Sequence, residues 1–281
     1  MKLDGKQISQ NLLENLKKKV EILKKRGITP TMAIILMGDN EASKIYVRQK
    51  GIKADEIGAK VKVFPVTNQT TNKNLETLIK KLDKNHKIHG IIIQRPAAPG
   101  INADALTELI SAKKEIDGFG PRSIYPVPVA EAVWKMLENV FSSNKSTVNF
   151  SGWLKSKKIV VVGKGETAGR PIIDLLNKYK TRINIIDSKT TNKEKILKEA
   201  DIIITAVGKT ILNSKQIKKG VILIGVGLYS DANGKLRGDY DNFDVENIAS
   251  YYSPTPGGVG PVNVACLLEN LINAAQNQLQ H

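Results

Sequence analysis

A glycine-rich turn between a strand and a helix is the feature that most restricts what this chain can fold into. Residues 160–171 read VVVGKGETAGRP: an apolar strand, a turn with three glycines, and a helix that we expect to open near Pro171. A second apolar strand ends at Asp187, about where the ribose-binding acid of a dinucleotide fold is found. In such a turn the glycines let the backbone approach a pyrophosphate that the helix N-terminal amides bind. The pattern predicts a Rossmann-type nucleotide site; its alternative is a purely structural turn.

The cofactor is expected to contact this turn and the ends of the strands that follow it. An Asp187 carboxylate would accept a hydrogen bond from a ribose 2′-hydroxyl and repel a 2′-phosphate, which favours NAD, whereas Lys164, Ser188 and Lys189 are suited to hold that phosphate. The residues alone leave the choice between NAD and NADP open. The predicted cofactor-binding residues are Gly163, Lys164, Gly165, Thr167, Gly169, Asp187, Ser188, Ala206, Val207, Gly208 and Gly227.

Strands and helices alternate along the whole chain, which predicts an α/β protein with two domains. The predicted strands are 32–37, 60–66 and 89–94 in the first half, and 157–162, 182–187, 201–207 and 221–226 in the second. Apolar spacings of three and four residues predict helices over 8–25, 42–57, 72–82 and 262–279. A segment rich in proline and glycine, residues 118–128, separates the halves. We predict an N-terminal α/β catalytic domain over 1–121, on which the helix within 262–281 packs, and a C-terminal Rossmann-type parallel-sheet domain over 122–261.

Composition excludes several other kinds of protein. A single cysteine, Cys266, rules out a disulfide framework, and with three histidines it cannot supply a four-ligand Cys/His zinc site, so no metal is expected. No apolar run is long enough to span a membrane, and the start of the chain lacks the apolar core of a secretory signal, which predicts a cytoplasmic protein. The net charge of +16 comes from scattered lysines among only 5% aromatic residues, which favours a solvated surface over a nucleic-acid face.

Four further segments carry a specific resemblance. They are GDNEASKIYVRQK at 38–50, GIIIQRP at 90–96, IDGF at 116–119 and PTPGGVGP at 254–261. Together with the glycine-rich turn, and in this order, they resemble the bifunctional methylenetetrahydrofolate dehydrogenase/methenyltetrahydrofolate cyclohydrolase (FolD) family along the whole chain. The resemblance implies oxidation of 5,10-methylenetetrahydrofolate with NADP, hydrolysis to 10-formyltetrahydrofolate, a role in one-carbon metabolism and purine biosynthesis, and a homodimer formed through the nucleotide domain.

The residues themselves place several polar groups together. Ser43, Tyr46 and Lys50 share one face of a predicted helix because they lie three, four and seven positions apart. Gln94 ends a predicted parallel strand, at the edge where open α/β sheets bind ligands, and Asp39 follows the neighbouring strand at the same edge. A lysine, a tyrosine, an amide and a carboxylate are therefore expected to converge.

The resemblance assigns roles to the matching positions. Lys50 would be the catalytic lysine of the cyclohydrolase and Gln94 its hydrogen-bonding partner. Tyr46 would stack on and position the folate, and Asp117 would bind the amino groups of the pterin. These four residues are the predicted catalytic set, and the predicted substrate-binding residues are Tyr46, Lys50, Gln94, Asp117, Pro256, Gly257 and Gly258.

Several segments depart from the family pattern. Residues 94–99 read QRPAAP where the family typically has QLPLP. PVPVAE at 126–131 replaces PCTPxG, and Lys164 and Gly165 replace a usual Arg and Ser. These changes leave an NAD-preferring or dehydrogenase-only variant as an alternative. More remote alternatives are a non-catalytic folate- or nucleotide-binding protein whose basic surface binds nucleic acid, and a shikimate- or amino-acid-type dehydrogenase, which would not explain PGGVGP.

Overall fold

The chain divides into two units in the computed structural model, which describes residues 1–38, 40–67, 70–143 and 147–279. The three-stranded unit comprises residues 10–128 and 264–281, and the five-stranded unit comprises residues 1–9 and 129–263. Both units are α/β with parallel sheets, so the predicted fold class is confirmed. The predicted division at residues 121 and 122 stays a prediction.

The three-stranded unit has helices on both faces of a parallel sheet. Its strands are β1 (Thr31–Met37), β2 (Lys60–Val66) and β3 (Gly90–Ile93), in the order β2-β1-β3. Its helices are most of α1 (Gly5–Lys25), α2 (Glu41–Ile57), α3 (Asn72–Lys84), α4 (Ala103–Thr107) and most of α10 (Val259–Asn277), which follows the last strand of the chain.

Strand β1 is central to this unit because each of its residues is buried. Successive side chains of a strand point to opposite faces. Met32 and Ile34 therefore pack in one apolar cluster with residues of α1, α2 and α10, whereas Ala33 and Ile35 pack in another with residues of α3 and α4. A strand covered on both faces reads as a continuous apolar run, which is why the sequence MAIILM predicts it.

The five-stranded unit contains a parallel sheet with a short antiparallel hairpin. The strands of the sheet are β4 (Ile159–Val162), β5 (Ile183–Ile186), β6 (Ile202–Thr205), β7 (Ile222–Gly225) and β10 (Tyr251–Tyr252), in the order β10-β7-β6-β4-β5. The hairpin pairs β8 (Leu228–Ser230) with β9 (Leu236–Gly238). The helices are α5 (Pro128–Ser143), α6 (Phe150–Lys155), α7 (Gly169–Lys178), α8 (Lys193–Glu199), α9 (Asn242–Val245) and a 3₁₀ turn at Ser214–Gln216.

The first residues of the chain extend this sheet. The Leu3 N–H donates to the Tyr252 carbonyl at 2.8 Å, and Lys2 pairs in parallel with Tyr252. None of the helices in the described ranges is both long enough and apolar enough to cross a bilayer.

Candidate active site

Helix α2 places Lys50 at the carboxyl edge of the three-stranded sheet. The helix begins just after β1, where the Asn40 side-chain oxygen accepts the Ser43 N–H at 2.9 Å and so caps its first turn. The Lys50 Nζ donates a 2.9 Å hydrogen bond to the Oε1 atom of Gln94. The predicted pairing of these two side chains is therefore present. Asp39, predicted at the same edge, lies outside the described residues.

The amide of Gln94 is held in one orientation. Its backbone N–H donates to the Ile35 carbonyl at 2.9 Å, so the residue continues the pairing of β3 with β1. Its side-chain Nε2 donates to the Arg95 carbonyl at 2.8 Å. Because Nε2 has that partner, Oε1 is the atom presented to Lys50.

Asp117 lies at the end of a segment that runs beside β3. The Ile91 N–H donates to the Lys114 carbonyl at 2.7 Å, and Ile91 pairs in parallel with Glu115. Two residues after that pairing, Asp117 is level with the end of β3, where Gln94 follows. Lys50, Gln94 and Asp117, for which the resemblance predicts catalytic roles, therefore lie at one edge of one sheet.

The charges of this cluster are desolvated and opposed. Burial lowers the pKa of the Lys50 ammonium group, while the charge of Asp117 acts to raise it. Burial raises the pKa of the Asp117 carboxyl, while the charges of Lys50 and Arg95 act to lower it. A desolvated amine takes up and releases a proton at lower pH than an exposed lysine, which suits it to acid–base chemistry.

Tyr46 precedes Lys50 by one turn on α2 and is half-buried. Burial raises the pKa of its phenol, so the hydroxyl keeps its proton. On the same helix face, Ser43 is buried. The structure thus puts Tyr46 near Lys50 along the helix, with an aromatic face and a neutral hydroxyl available to a ligand.

Two residues near Asp117 escaped prediction from the sequence. The buried Glu115 carboxylate accepts hydrogen bonds from the backbone N–H groups of Asp117 and Gly118, each at 3.1 Å. The Arg95 guanidinium pairs with Asp104 and lies 4.8 Å from the centre of the Phe119 ring. The only signal in the sequence for Glu115 is a second acid two positions before Asp117, and Arg95 stands out only as a departure from the family pattern.

In the five-stranded unit, the glycine-rich turn has the backbone geometry that the motif predicts. Gly163 follows β4 with φ of +94°, which favours glycine, and an added Cβ would lie 2.5 Å from the Ala206 carbonyl oxygen. At Gly169, the first residue of α7, an added Cβ would lie 2.2 Å from the Gly163 carbonyl oxygen. At Gly165 the described residues, apart from its chain neighbours, have no atom within 4 Å of that position. Protein packing therefore requires glycine at two of these positions, and the open space at the third fits a phosphate group.

Lys164 and Asp187, both predicted at the cofactor site, form an ion pair. The Lys164 Nζ lies 2.8 Å from an Asp187 carboxylate oxygen. This contact, with hydrogen bonds from the Lys189 N–H and the Thr190 hydroxyl, lowers the pKa of Asp187 to about 2. Asp187 is therefore ionised with its charge offset by Lys164, so its repulsion of a ribose phosphate is reduced.

The predicted cofactor-binding residues that follow β6 and β7 share one hydrogen-bond partner, which was not predicted from the sequence. Asp239 is fully buried, and its carboxylate accepts the N–H groups of Val207 at 3.1 Å, Gly208 at 2.7 Å and Gly227 at 3.2 Å. The N–H of Ala206 donates to the Val162 carbonyl at 2.8 Å. These strand ends therefore meet at one edge of the sheet. Nothing local in the sequence marks Asp239, because its partners lie far away along the chain.

The remaining predicted residues are placed as follows. Pro256, Gly257 and Gly258 lie between β10 and α10 in the five-stranded unit, with the Gly258 carbonyl against Gly5. Thr167 is exposed beside the glycine-rich turn, and the Ser188 carbonyl accepts a hydrogen bond from Lys193 Nζ at 3.4 Å. Within the described part of the chain, no group of three His, Cys, Asp or Glu residues is arranged to hold a metal ion.

Both units match domains of one known protein family. The family description "Tetrahydrofolate dehydrogenase/cyclohydrolase, catalytic domain" matches residues 3–117, and the NAD(P)-binding domain of the same family matches residues 130–279. A protein of Lysinibacillus sphaericus described as bifunctional protein FolD is 34% identical and covers 99% of this chain and 98% of its own length. The FolD protein of Thermodesulfovibrio yellowstonii is 36% identical, with coverage of 98% and 96%.

Solved structures described as FolD enzymes match this chain over nearly its whole length. The bifunctional FolD enzyme of Campylobacter jejuni is 33% identical, with a TM-score of 0.91 and coverage of 99% of each chain. The Trypanosoma brucei FolD, solved with NADP cofactor and an inhibitor, is 26% identical, with a TM-score of 0.89 and coverage of 99% and 98%.

Proposed function

The chain belongs to the tetrahydrofolate dehydrogenase/cyclohydrolase family, and from this we propose that it oxidises 5,10-methylenetetrahydrofolate with NADP and hydrolyses the product to 10-formyltetrahydrofolate. The observation that carries the proposal is the 2.9 Å hydrogen bond from the amine of the half-buried Lys50 to Gln94, beside the Asp117 carboxylate. A desolvated amine held by an amide and facing an acid is an arrangement for moving a proton.

Hydrolysis requires that proton movement. Water adds to the methenyl carbon and loses one proton, which leaves a hydroxyl on that carbon. The bond from the carbon to N5 then breaks as the hydroxyl loses its proton to form the formyl carbonyl and N5 gains a proton, so one proton is released overall. Lys50 takes the proton from the attacking water because burial favours its neutral form. Gln94 keeps the Nζ in place, since its own Nε2 is fixed on the Arg95 carbonyl.

Asp117 and Tyr46 bind and orient the folate. Burial raises the pKa of the Asp117 carboxyl, while the charge of Arg95 acts to lower it; in its ionised form Asp117 accepts hydrogen bonds from the amino and ring N–H groups of the pterin. Tyr46 offers a flat apolar ring one turn from Lys50. We propose Pro256, Gly257 and Gly258 as further folate-binding residues on the strength of the sequence resemblance.

The residues of the glycine-rich turn fit NADP. When bound, NADP supplies the acceptor for the hydride that leaves the methylene bridge. The amides around Gly163 and Gly165 would hold its pyrophosphate, and Lys164 would hold the 2′-phosphate while offsetting the Asp187 charge. The ionised Asp187 is the observation that favours the second candidate, a variant of the same enzyme that prefers NAD.

We also propose a cytoplasmic homodimer, which the family resemblance supports. Size-exclusion chromatography with light scattering should give twice the chain mass of 30.8 kDa. A monomer at micromolar concentration would refute the proposal of a dimer without affecting the chemistry.

Supplying the substrate of each reaction separately tests the proposed function. With 5,10-methylenetetrahydrofolate we expect faster reduction of NADP than of NAD, and with 5,10-methenyltetrahydrofolate alone we expect hydrolysis well above the rate in buffer. Faster reduction of NAD would select the second candidate. Absence of both reactions from folded protein would refute the function.

A further inference from the structure

Glu115 is a buried acid that the reaction described above does not use. The residue is 2% exposed, and its carboxylate accepts three backbone N–H groups: from Asp117 at 3.1 Å, Gly118 at 3.1 Å and Gly120 at 3.3 Å. A buried carboxylate is costly unless hydrogen bonds satisfy it. Here all three bonds go to the loop that begins at Asp117.

The backbone of Glu115 is anchored to the strand that carries Gln94. Glu115 pairs in parallel with Ile91 of β3, and its carbonyl accepts the Ser123 hydroxyl at 2.9 Å. The residue therefore connects a fixed strand with the loop of residues 117–120. Rotation of that loop would turn the Asp117 side chain away from Lys50.

The position of Glu115 is also unfavourable in electrostatic terms. Burial raises the pKa of its carboxyl and the nearby Asp117 charge acts in the same direction, whereas hydrogen bonds from Ser123 and from the loop N–H groups act to lower it. A glutamine at this position would carry no charge, so it would avoid the cost of burial and the repulsion from Asp117. Its side-chain NH2 group would, however, face the N–H donors of the loop. A carboxylate, which only accepts, is the group that can hold all three N–H groups at once.

We propose that Glu115 is a positioning residue, which fixes the loop of residues 117–120 so that the Asp117 carboxylate is oriented to bind the pterin. Glu115 touches neither folate nor cofactor, and its effect on folate binding passes through Asp117. This inference rests on the proposed function, because it assumes that Asp117 binds folate.

A double-mutant cycle tests it. Binding of tetrahydrofolate is measured by anaerobic titration calorimetry for the full-length wild type, E115Q, D117N and E115Q/D117N. D83N is the matched control, because the half-buried Asp83 carboxylate also accepts a backbone N–H and a hydroxyl, both from Ser111, at 3.0 Å and 2.8 Å, in the same unit. Thermal unfolding and NADP binding report whether each variant folds; if E115Q does not fold, E115D replaces it in the cycle.

We expect E115Q to raise the Kd about tenfold, and to have almost no further effect when Asp117 is already replaced, as residues of one hydrogen-bond network behave. D83N should bind tetrahydrofolate like the wild type. An unchanged Kd in E115Q, or the same increase in the D117N background, would overturn the positioning role while leaving the proposed function intact. A wild type that does not bind tetrahydrofolate would instead refute the proposed function, and the role of Glu115 with it.

Discussion

Replacing Lys50 by methionine separates the two reactions of this enzyme. Methionine keeps most of the apolar stem of lysine but has no amine, so the 2.9 Å bond to Gln94 and the proton-accepting group are both lost. Hydride transfer needs alignment of two rings and no proton acceptor, so Lys50 is expected to matter much less to it. The variant should therefore lose the cyclohydrolase and keep the dehydrogenase.

The size of the loss follows from the role of the amine. A positioned general base contributes about 10²- to 10⁴-fold to a rate, which corresponds to about 3 to 5 kcal/mol in the barrier of the hydrolysis step. The dehydrogenase should change by less than about tenfold, because only the packing of the folate is disturbed. The assays are the loss of methenyl absorbance for hydrolysis and the formation of NADPH for oxidation.

The matched control is Lys53→Met on the same helix. Lys53 pairs with Glu56 at 2.6 Å, which places its amine in a local surface ion pair. The same chemical change there should leave both activities unchanged. Full hydrolysis by Lys50→Met, or an equal loss in Lys53→Met, would refute the assignment of the proton-accepting role to Lys50.

Three further predictions concern other charged groups. Asp117→Asn should raise the KM for folate about 10- to 100-fold through loss of charged hydrogen bonds. Because the Asp117 charge raises the pKa of Lys50, this variant should also shift the acid limb of the hydrolysis pH profile to lower pH. An acid limb that stays in place would contradict this coupling. Lys164→Met should raise the KM for NADP several-fold and leave that for NAD unchanged, because it removes a cation from the phosphate and uncovers a carboxylate; equal changes in the two KM values would contradict this. His89 accepts the Thr31 N–H on Nδ1, and burial, followed by the charge of a nearby lysine, lowers its pKa. The unfolded chain then binds more protons, so the free energy of unfolding from urea titrations should fall, by at most about 1.4 kcal/mol per pH unit, as pH drops from about 6.5 toward the folded pKa; His89→Gln should flatten this dependence.

The parts of the fold that could be predicted are those with a strong local pattern. The strand at 60–66 lies where the sequence predicts it, and the helix predicted over 42–57 is observed as Glu41–Ile57. Other predicted strands are shorter than expected: 201–207 contains β6 at Ile202–Thr205, because the apolar run continues into the loop that Asp239 holds. Buried strands and amphipathic helices reveal themselves through period and composition.

The elements that escaped prediction depend on distant partners. Strands β8 and β9 are three residues each, too short for a periodic signal. Tyr240 is another case: its hydroxyl donates to the Ser253 carbonyl at 2.8 Å and accepts the Gly225 N–H at 3.1 Å. Its ring lies 3.0 Å from where a Cβ of Gly225 would be, so it occupies the space beside that glycine. Such contacts join residues far apart in sequence and become visible only in three dimensions.

The candidate site also contains residues that the sequence predicts and residues that depend on distant partners. Tyr46, Lys50, Gln94 and Asp117 are predictable because the resemblance supplies their roles. The helix and strand patterns also place Tyr46, Lys50 and Gln94 at one edge of the sheet. Glu115 was not, since an acid before an Asp-Gly turn is most simply a solvated residue, and only its burial and three N–H partners show otherwise.

The central claim is that one chain carries out both reactions in sequence. The most direct measurement is the ratio of products when purified protein is given 5,10-methylenetetrahydrofolate and NADP, with NADPH followed by absorbance and the folates separated by chromatography. We predict one 10-formyltetrahydrofolate for each NADPH, formed faster than methenyltetrahydrofolate hydrolyses in buffer. Accumulation of methenyltetrahydrofolate, with hydrolysis at the buffer rate, would contradict the claim.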